Sequence, residues 1–414
     1  MRRTLGLALR IYAPRLSGNR GFEMAHWSNW SGRHRAEPDR LHFIRSEEDA
    51  AALALGAQKQ GRTIRVAGAG HSHAPLVPNS EVIADISALS GVMSVDQDHQ
   101  RAWVRAGTPI YALGPALHQL GLALSNQGDI DRQTIGGACG TGTHGTGRGV
   151  ANLSAAVVGA RVASAMGEII ECDPAQTSDV WNVACLNLGS IGIVTALELQ
   201  LREAYRLAES AFVADGDEVE ARIPELVAEN DRFEFYWSPQ TDRAFVKRMN
   251  ETNEPAQYPV AAEGKRVAWS FEVYPSHRAQ LHTEMEYSVP MERGPDCFRA
   301  IKELVTLDFP DVEMPVEYRT VASDDVWLST ANGRETVTIS VHRDIHHDEG
   351  PLFRACEEIF LEYEGRPHWG KVNYLDGEQL AAIHADWDQW WLERDRLDPS
   401  GTFLNDYMRS IRSS

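Results

Sequence analysis

A surplus of positive charge is the first thing this chain lacks. Its 414 residues carry 40 Lys and Arg against 59 Asp and Glu, a formal net charge of -19. Nucleic-acid binders displace phosphate counterions with a basic face, and anionic membrane surfaces draw on the same attraction, so both partner classes are disfavoured. Cysteine is also scarce. Cys139, Cys172, Cys185, Cys297 and Cys356 are odd in number and scattered, which argues against a disulfide framework or zinc site and fits a reducing, cytoplasmic setting. No apolar run is long enough for a membrane span, so no stable membrane insertion is expected. Arg2, Arg3, Arg10, Arg15 and Arg20 sit between short apolar patches. This start reads as a mobile extension, with a targeting arm as the other reading. Two nucleotide signatures are missing as well. There is no Gly-Lys-Ser/Thr phosphate loop, and Gly68-Ala69-Gly70-His71 runs into Ala74, Pro75 and Pro78 rather than a third glycine and a helix, against a Rossmann site.

What is present is glycine in two concentrated places. Ser46 reads as the N-cap of a helix that starts with Glu47, Glu48 and Asp49 and stops at Gly61. Thr63 to Val66 then alternates as a strand and feeds Gly68-Ala69-Gly70-His71-Ser72, a turn whose backbone N–H groups can approach a phosphate. Further strands are expected at 82–86, 91–95 and 103–104, and Thr108-Pro109 reads as an N-cap with proline at the first helical position. The second glycine stretch is Thr134-Ile135-Gly136-Gly137-Ala138-Cys139-Gly140-Thr141-Gly142-Thr143-His144-Gly145-Thr146-Gly147. Glycine frees its N–H groups to point inward and the threonines add hydroxyl donors, which suits a pyrophosphate better than a linker. Two such loops in one unit support a dinucleotide more strongly than either alone. A hairpin over Met166-Gly167, a helix capped by Ser178 and a strand over 191–201 complete this half.

The second half reads as an antiparallel sheet with helices on one face. Strands are expected at 207–213, 233–237, 244–248, 267–274, 316–321 and 336–341, and helices at 218–229, 297–305 and 352–363. A last helix carries Leu380, Ile383, Trp387, Trp390 and Trp391 as a packing stripe and stops at Pro399 and Gly401. Three polar constellations stand out. Glu317 and Arg319 lie two apart on a strand and face one space, although a structural ion pair reads as well. Arg366-Pro367-His368-Trp369-Gly370-Lys371 is an irregular loop, either a cap or part of a site. His342, His346 and His347 could share a metal only on a helix, and Asp344, Asp348 and Gly350 favour a solvated loop instead.

Together these residues resemble the vanillyl-alcohol-oxidase type of FAD enzyme, and within it the sugar-lactone and alditol oxidases. The likeness runs from about Trp27 to the C-terminus. It rests on 68–72, 136–147, Leu-Gly-Ser-Ile-Gly-Ile-Val-Thr at 188–195, Glu-Tyr-Arg at 317–319, Trp-Leu-Ser at 327–329, Gly-Arg-Pro-His-Trp-Gly-Lys at 365–371 and Leu-Asp-Pro-Ser-Gly-Thr-Phe-Leu-Asn at 397–405. It implies an α+β fold: a two-subdomain FAD-binding domain of the PCMH type plus an antiparallel-sheet substrate domain covered by helices. The implied division is an extension over 1–26, the FAD domain over 27–205, the substrate domain over 206–390 and a segment over 391–414 returning to the FAD domain.

The resemblance further implies FAD held by Gly68, Ala69, Gly70, His71, Ser72, Thr134, Gly136, Gly137, Gly140, Thr141, Thr143, His144, Gly145 and Ile193. His71 matches the histidine bonded to the flavin 8α-methyl group. A cysteinyl link is not expected, because Cys139 lies inside the glycine run. Glu317, Arg319 and Lys371 are the implied catalytic residues. The implied reaction oxidises a CH–OH group of a sugar 1,4-lactone of the D-arabinono or L-gulono kind, with molecular oxygen or another acceptor and no metal. Alditol oxidases differ at Ser340 and His342, so oxidation of xylitol or sorbitol is the alternative. A metal-dependent hydrolase using His342, His346 and His347, or a non-catalytic sugar binder, is the distant one.

Overall fold

A computed structural model describes residues 25–276 and 280–412. The arginine-bearing start falls outside the described residues. Near the N-terminal end, three parallel strands, Arg40–Phe43, Val82–Asp85 and Ile64–Ala67, pair with Val82–Asp85 in the middle. The helix Glu47–Lys59 carries the chain from the outer strand Arg40–Phe43 to the other outer strand, Ile64–Ala67, and the glycine loop that follows leads into the middle strand. The helix N-cap is Ser46, whose hydroxyl accepts from Asp49 N at 3.1 Å, and its C-terminal turn closes at Gly61 with φ +65°. A five-stranded antiparallel sheet follows, built from Val92–Asp96, Arg101–Arg105, Val157–Ala163, Ile169–Cys172 and Ile193–Gln200.

The second half holds eight antiparallel strands. Their central members are Arg232–Ser238, Val316–Val321, Thr336–Asp344 and His282–Pro290. Because side chains alternate across a sheet, each of these strands has two characters. One face carries Phe233, Phe235, Met285, Tyr287, Val316, Tyr318, Ile339 and Val341, and it packs against the helices Gly216–Glu229, Gly294–Asp308 and Gly350–Glu362. The other carries Glu234, Tyr236, Glu284, Glu286, Glu317, Arg319, Ser340 and His342, and the helices do not cover it. The expected sheet with helices on one face is therefore present.

The two halves are joined at the glycine run. Gly147 forms a parallel bridge to Val321 and donates to Thr320 O at 2.7 Å, while the Thr146 hydroxyl donates to Phe233 O. After the sheet the chain re-enters the first core. Trp369, Leu380, Trp387, Trp390, Phe403 and Met408 all belong to that core. Among the described residues no helix is long and apolar enough to cross a membrane.

Several elements differ from expectation. Thr108 does not cap: its hydroxyl donates to Arg105 O at 2.6 Å and accepts from Gly91 N at 2.9 Å, and Pro109 is the N-cap. Thr177, not Ser178, precedes the helix Ser178–Cys185. The glycine run is not all loop, since Ile135–Gly140 is a short helix. The strand expected over 267–274 stops at Trp269, and Ser270–Val273 coils into a helical turn. The aromatic stripe spans two helices, Gly377–Ile383 and Trp387–Leu397. The break lets the His384 ring stack on Trp369 with centroids 5.2 Å apart. The strand His282–Pro290 was not expected at all.

Candidate active site

The two glycine stretches converge on one open cleft that takes in about 1020 Å³ of space, its solvent-filled mouth included. Gly68, Ala69, Gly70, His71 and Ser72 form one wall, and Thr134, Gly136, Gly137, Gly140, Thr141 and Thr143 another. Gly70 is needed for its backbone, which sits at φ +67°. Gly68 is needed for space: a Cβ there would meet Thr134 Oγ1 at 2.2 Å. The hairpin of Trp27–Ser28 and Arg35–Ala36 clasps the first loop from outside. Trp30 N donates to Gly70 O at 2.7 Å, and Asn29 Nδ2 donates to Ser72 O at 3.0 Å.

A second cavity of about 580 Å³ opens where the first meets the uncovered face of the large sheet. Gln133, Thr143, His368 and Lys371 line both cavities, so the two adjoin. The sheet contributes Glu284, Glu286, Glu317, Arg319 and His342, whose strands are in direct register: Glu317 lies opposite Ser340, Glu286 opposite Ser340, and Glu284 opposite His342. Lys371 arrives from the segment after Arg366–Pro367, which hydrogen-bonds along the strand His282–Pro290 through His368 N to Glu286 O at 3.0 Å and Val372 N to Glu284 O at 2.9 Å.

The second cavity is densely charged. The Arg319 guanidinium stands 3.0 Å from Glu317 and 3.3 Å from Glu286. Glu286 also meets His144 Nε2 at 2.7 Å and accepts from the Ser340 hydroxyl at 2.6 Å. Although burial alone would raise its pKa, His144, His368 and Arg319 hold the Glu286 carboxyl well below the usual range. Glu284 is likewise held low, against burial, by Lys371, which contacts it, and by His342 and His282. Next to Glu317, the Glu234 carboxyl is raised to about 7 by burial and the Asp129 charge, despite Lys247 at 2.5 Å. Burial, with Lys371 and Arg132 nearby, lowers His71 to about 4, so its imidazole is neutral near pH 7. Of the atoms lining this space, Gln133 Oε1, Glu317 Oε1 and Arg319 Nε have no hydrogen-bond partner among the described residues, the last two standing on the sheet face. An unpaired buried polar atom costs about 1–3 kcal/mol, so these two are poised for a polar ligand.

The anticipated residues thus divide. Eleven of the implied cofactor residues, from Gly68 to Ser72 and from Thr134 to Thr143, line the first cavity. His144 lines the second cavity instead. Gly145 and Ile193 line neither: a Cβ on Gly145 would meet Gln127 O at 2.2 Å, so that glycine serves close backbone packing, and Ile193 is fully buried between the lining residues Gly192 and Val194. Glu317, Arg319 and Lys371 come together as a group. The His342, His346 and His347 group does not form, because the strand runs through Asp344 and leaves His346 and His347 exposed in the turn beyond. Glu284, Glu286, His282 and Asp129 went unforeseen. The signal for the first three was the alternation of His282, Glu284, Glu286 and Ser288 with Met285, Tyr287 and Val289, masked because carboxylates are depleted in strands.

Residues 38–173 match the family described as FAD binding domain, and residues 197–267 and 258–411 match the family described as D-arabinono-1,4-lactone oxidase. The chain is 33% identical over 424 residues to the L-gulono-1,4-lactone dehydrogenase of Mycobacterium tuberculosis, covering 93% of this chain and 98% of that protein. It is 24% identical to the L-gulonolactone oxidase of Mus musculus, covering 94% and 99%. Among solved structures it resembles cholesterol oxidase from Brevibacterium sterolicum with a TM-score of 0.83 at 15% identity, covering 97% of this chain and 100% of that one, which is a likeness of fold. FAD fits the first cavity on two observations. Thr134 Oγ1 and Gln133 Oε1 are buried there without a hydrogen-bond partner among the described residues. Arg65, 1% exposed, lines the cavity, bonds three carbonyl oxygens and makes no ion pair among the described residues, so an anionic phosphate would supply the missing charge.

Proposed function

The chain belongs to the D-arabinono-1,4-lactone oxidase family of FAD-dependent oxidoreductases, and on that premise we propose that it oxidises a carbinol group of a sugar 1,4-lactone in the second cavity. The observation that carries this reading is the pair of unpartnered buried atoms, Glu317 Oε1 and Arg319 Nε, on a polar cavity that shares four lining residues with that of the cofactor. When bound, FAD supplies a hydride acceptor for the carbinol carbon, with molecular oxygen as the proposed final acceptor.

The protein's own part is electrostatic. Arg319 and Lys371 face the oxygen on which negative charge develops as the C–H bond breaks, and a well-placed donor of this kind contributes about 3–4 kcal/mol. Glu317 receives a substrate hydroxyl and takes its proton. Glu286 and Ser340 keep Arg319 from turning away. We place His71 as the point of covalent attachment to FAD. Its position on the FAD cavity and its neutral imidazole, with a lone pair free to form a bond, support that role. We also propose a cytoplasmic location, which five free, buried thiols favour. A lactone is preferred to an alditol because the lactone-oxidase family match covers the strands that build the second cavity.

Anaerobic flavin bleaching tests the substrate. D-arabinono- or L-gulono-1,4-lactone should bleach the flavin at millimolar concentration or below, and xylitol or sorbitol should not; the reverse order would install the alditol reading. Oxygen uptake with the same lactone tests the acceptor. Acid precipitation should leave a yellow pellet from the wild-type protein and a colourless one from His71→Ala.

A further inference from the structure

The hairpin that precedes the first parallel strand does more than cover the glycine loop. Its tip places Trp30 flat against His71, with ring centroids 5.6 Å apart and planes 26° apart. The same indole presents its edge to His73 at 6.3 Å and to His282 at 5.1 Å, so it touches the histidine on the FAD cavity and two histidines grouped around Glu284. The backbone around it is pinned at three successive points of the loop: Trp30 N to Gly70 O at 2.7 Å, Asn29 Nδ2 to Ser72 O at 3.0 Å, and His34 Nε2 against His73 O at 2.7 Å. Trp27 packs beneath Gly70, whose ideal Cβ position lies 3.5 Å from its ring. A hairpin that contacts Gly70, His71, Ser72 and His73 in turn fixes the loop's backbone, and one flat indole fixes the plane of one imidazole.

Bond formation at a ring nitrogen needs the nitrogen lone pair aimed along one direction, and an imidazole otherwise turns about its χ angles. No hydrogen bond to the His71 ring is present among the described residues, so packing against Trp30 is the contact that sets its orientation. We propose that Trp30 is a positioning residue for covalent attachment of FAD, holding the His71 imidazole in the attitude from which its nitrogen bonds the flavin 8α-carbon. The bond that forms is N–C8α. The bonds that break are the imidazole N–H and one 8α C–H. The two electrons and the two protons released go to the flavin, and molecular oxygen removes both pairs as hydrogen peroxide. This assignment rests on His71 being the attachment point.

The test uses the full-length protein purified with its flavin. Total FAD is measured after proteolysis, and covalent FAD as the acid-insoluble flavin that fluoresces in a denaturing gel. Trp30→Ala is expected to bind FAD in wild-type amount but to attach it about tenfold more slowly, the scale of one lost aromatic contact. Trp30→Phe, which keeps a flat ring, is expected to recover most of the rate. Equal covalent flavin in Trp30→Ala and wild type at every time sampled during expression overturns the proposal. So does parallel loss of total and covalent FAD in Trp30→Ala and Trp30→Phe alike, which marks a purely structural role. If wild-type flavin is wholly acid-released, the attachment at His71 falls first, and the positioning role falls with it.

Discussion

The two cavities meet at Lys371 yet are made of opposite materials. Half of the residues walling the FAD cavity are glycine, alanine or threonine, among which stand a few longer polar side chains such as Arg65 and Gln133. The substrate cavity is walled by long charged side chains standing on one sheet face. The first binds by leaving room for close backbone approach, and the second by holding charge out of water. They should therefore fail in opposite ways. Added atoms damage the first, and removed charges damage the second.

The largest effect is expected from removing Arg319. Its guanidinium is the shared partner of Glu317 and Glu286, all three nearly buried. Arg319→Ala deletes a donor for the developing oxyanion and removes the ion-pair partner of Glu317, while Glu286 keeps His144 and Ser340, so kcat/KM for the lactone should fall about 10³-fold. Breaking a buried pair should also cost about 3–5 kcal/mol of stability in denaturant unfolding. FAD content should stay at the wild-type level, because Arg319 does not line the FAD cavity. A variant that lost its flavin instead would dissolve the distinction between the two cavities.

The FAD cavity should answer to volume. In Gly68→Ala the new methyl meets Thr134 Oγ1 at 2.2 Å, an overpacking that typically costs about 1–3 kcal/mol. The expected outcome is reduced FAD per chain, read from the absorbance of the denatured protein, together with a lower Tm. Thr134→Ala removes the opposing hydroxyl, so the double variant should recover part of the FAD content. A double variant no better than Gly68→Ala would mean that the clash is not the cause.

This contrast also explains what the sequence revealed. A cavity made of backbone writes itself as glycine density in contiguous stretches, so 68–72 and 134–143 were legible without any partner in view. The small helix inside the second stretch was not, because glycine-rich segments carry poor helix propensity and tertiary hydrogen bonds such as Gly136 N to Ala106 O hold it. A cavity made of side chains is assembled from separate strands. Glu317 and Arg319 could be paired because they are two apart, and Lys371 only through resemblance. Glu284 and Glu286 were hidden, because a strand with buried acids looks like an exposed segment until its neighbours supply Lys371, His144 and Ser340. The period-two alternation along that strand was present and outweighed by its charge. The break at 384–386 was hidden for a similar reason: a tryptophan stripe continues across it, and only Trp369, from another segment, gives His384 a reason to leave the helix.

That histidine supplies the smallest and cleanest test, since it lies in the first core and lines neither cavity. Burial, aided by Arg366 and Arg334, lowers its pKa from 6.5 to about 3, and its Nε2 has no hydrogen-bond partner among the described residues. Between those two values the unfolded chain binds a proton there that the folded protein refuses. Stability from this site is therefore complete above about pH 6.5 and is lost as pH falls toward 3. His384→Phe keeps a flat ring against Trp369 and removes both the titration and the unsatisfied nitrogen. At pH 7.5 its stability should lie within about 1.5 kcal/mol of wild type, and its Tm should fall less than the wild-type Tm between pH 7.5 and pH 5. FAD content and lactone turnover at pH 7.5 should not change. If the variant kept the full acid sensitivity, the loss would come from the other imidazoles that burial holds neutral in the same way, His71, His73 and His368; His71 and His368 line the FAD cavity, so bound FAD would alter the pH profile if either were the source.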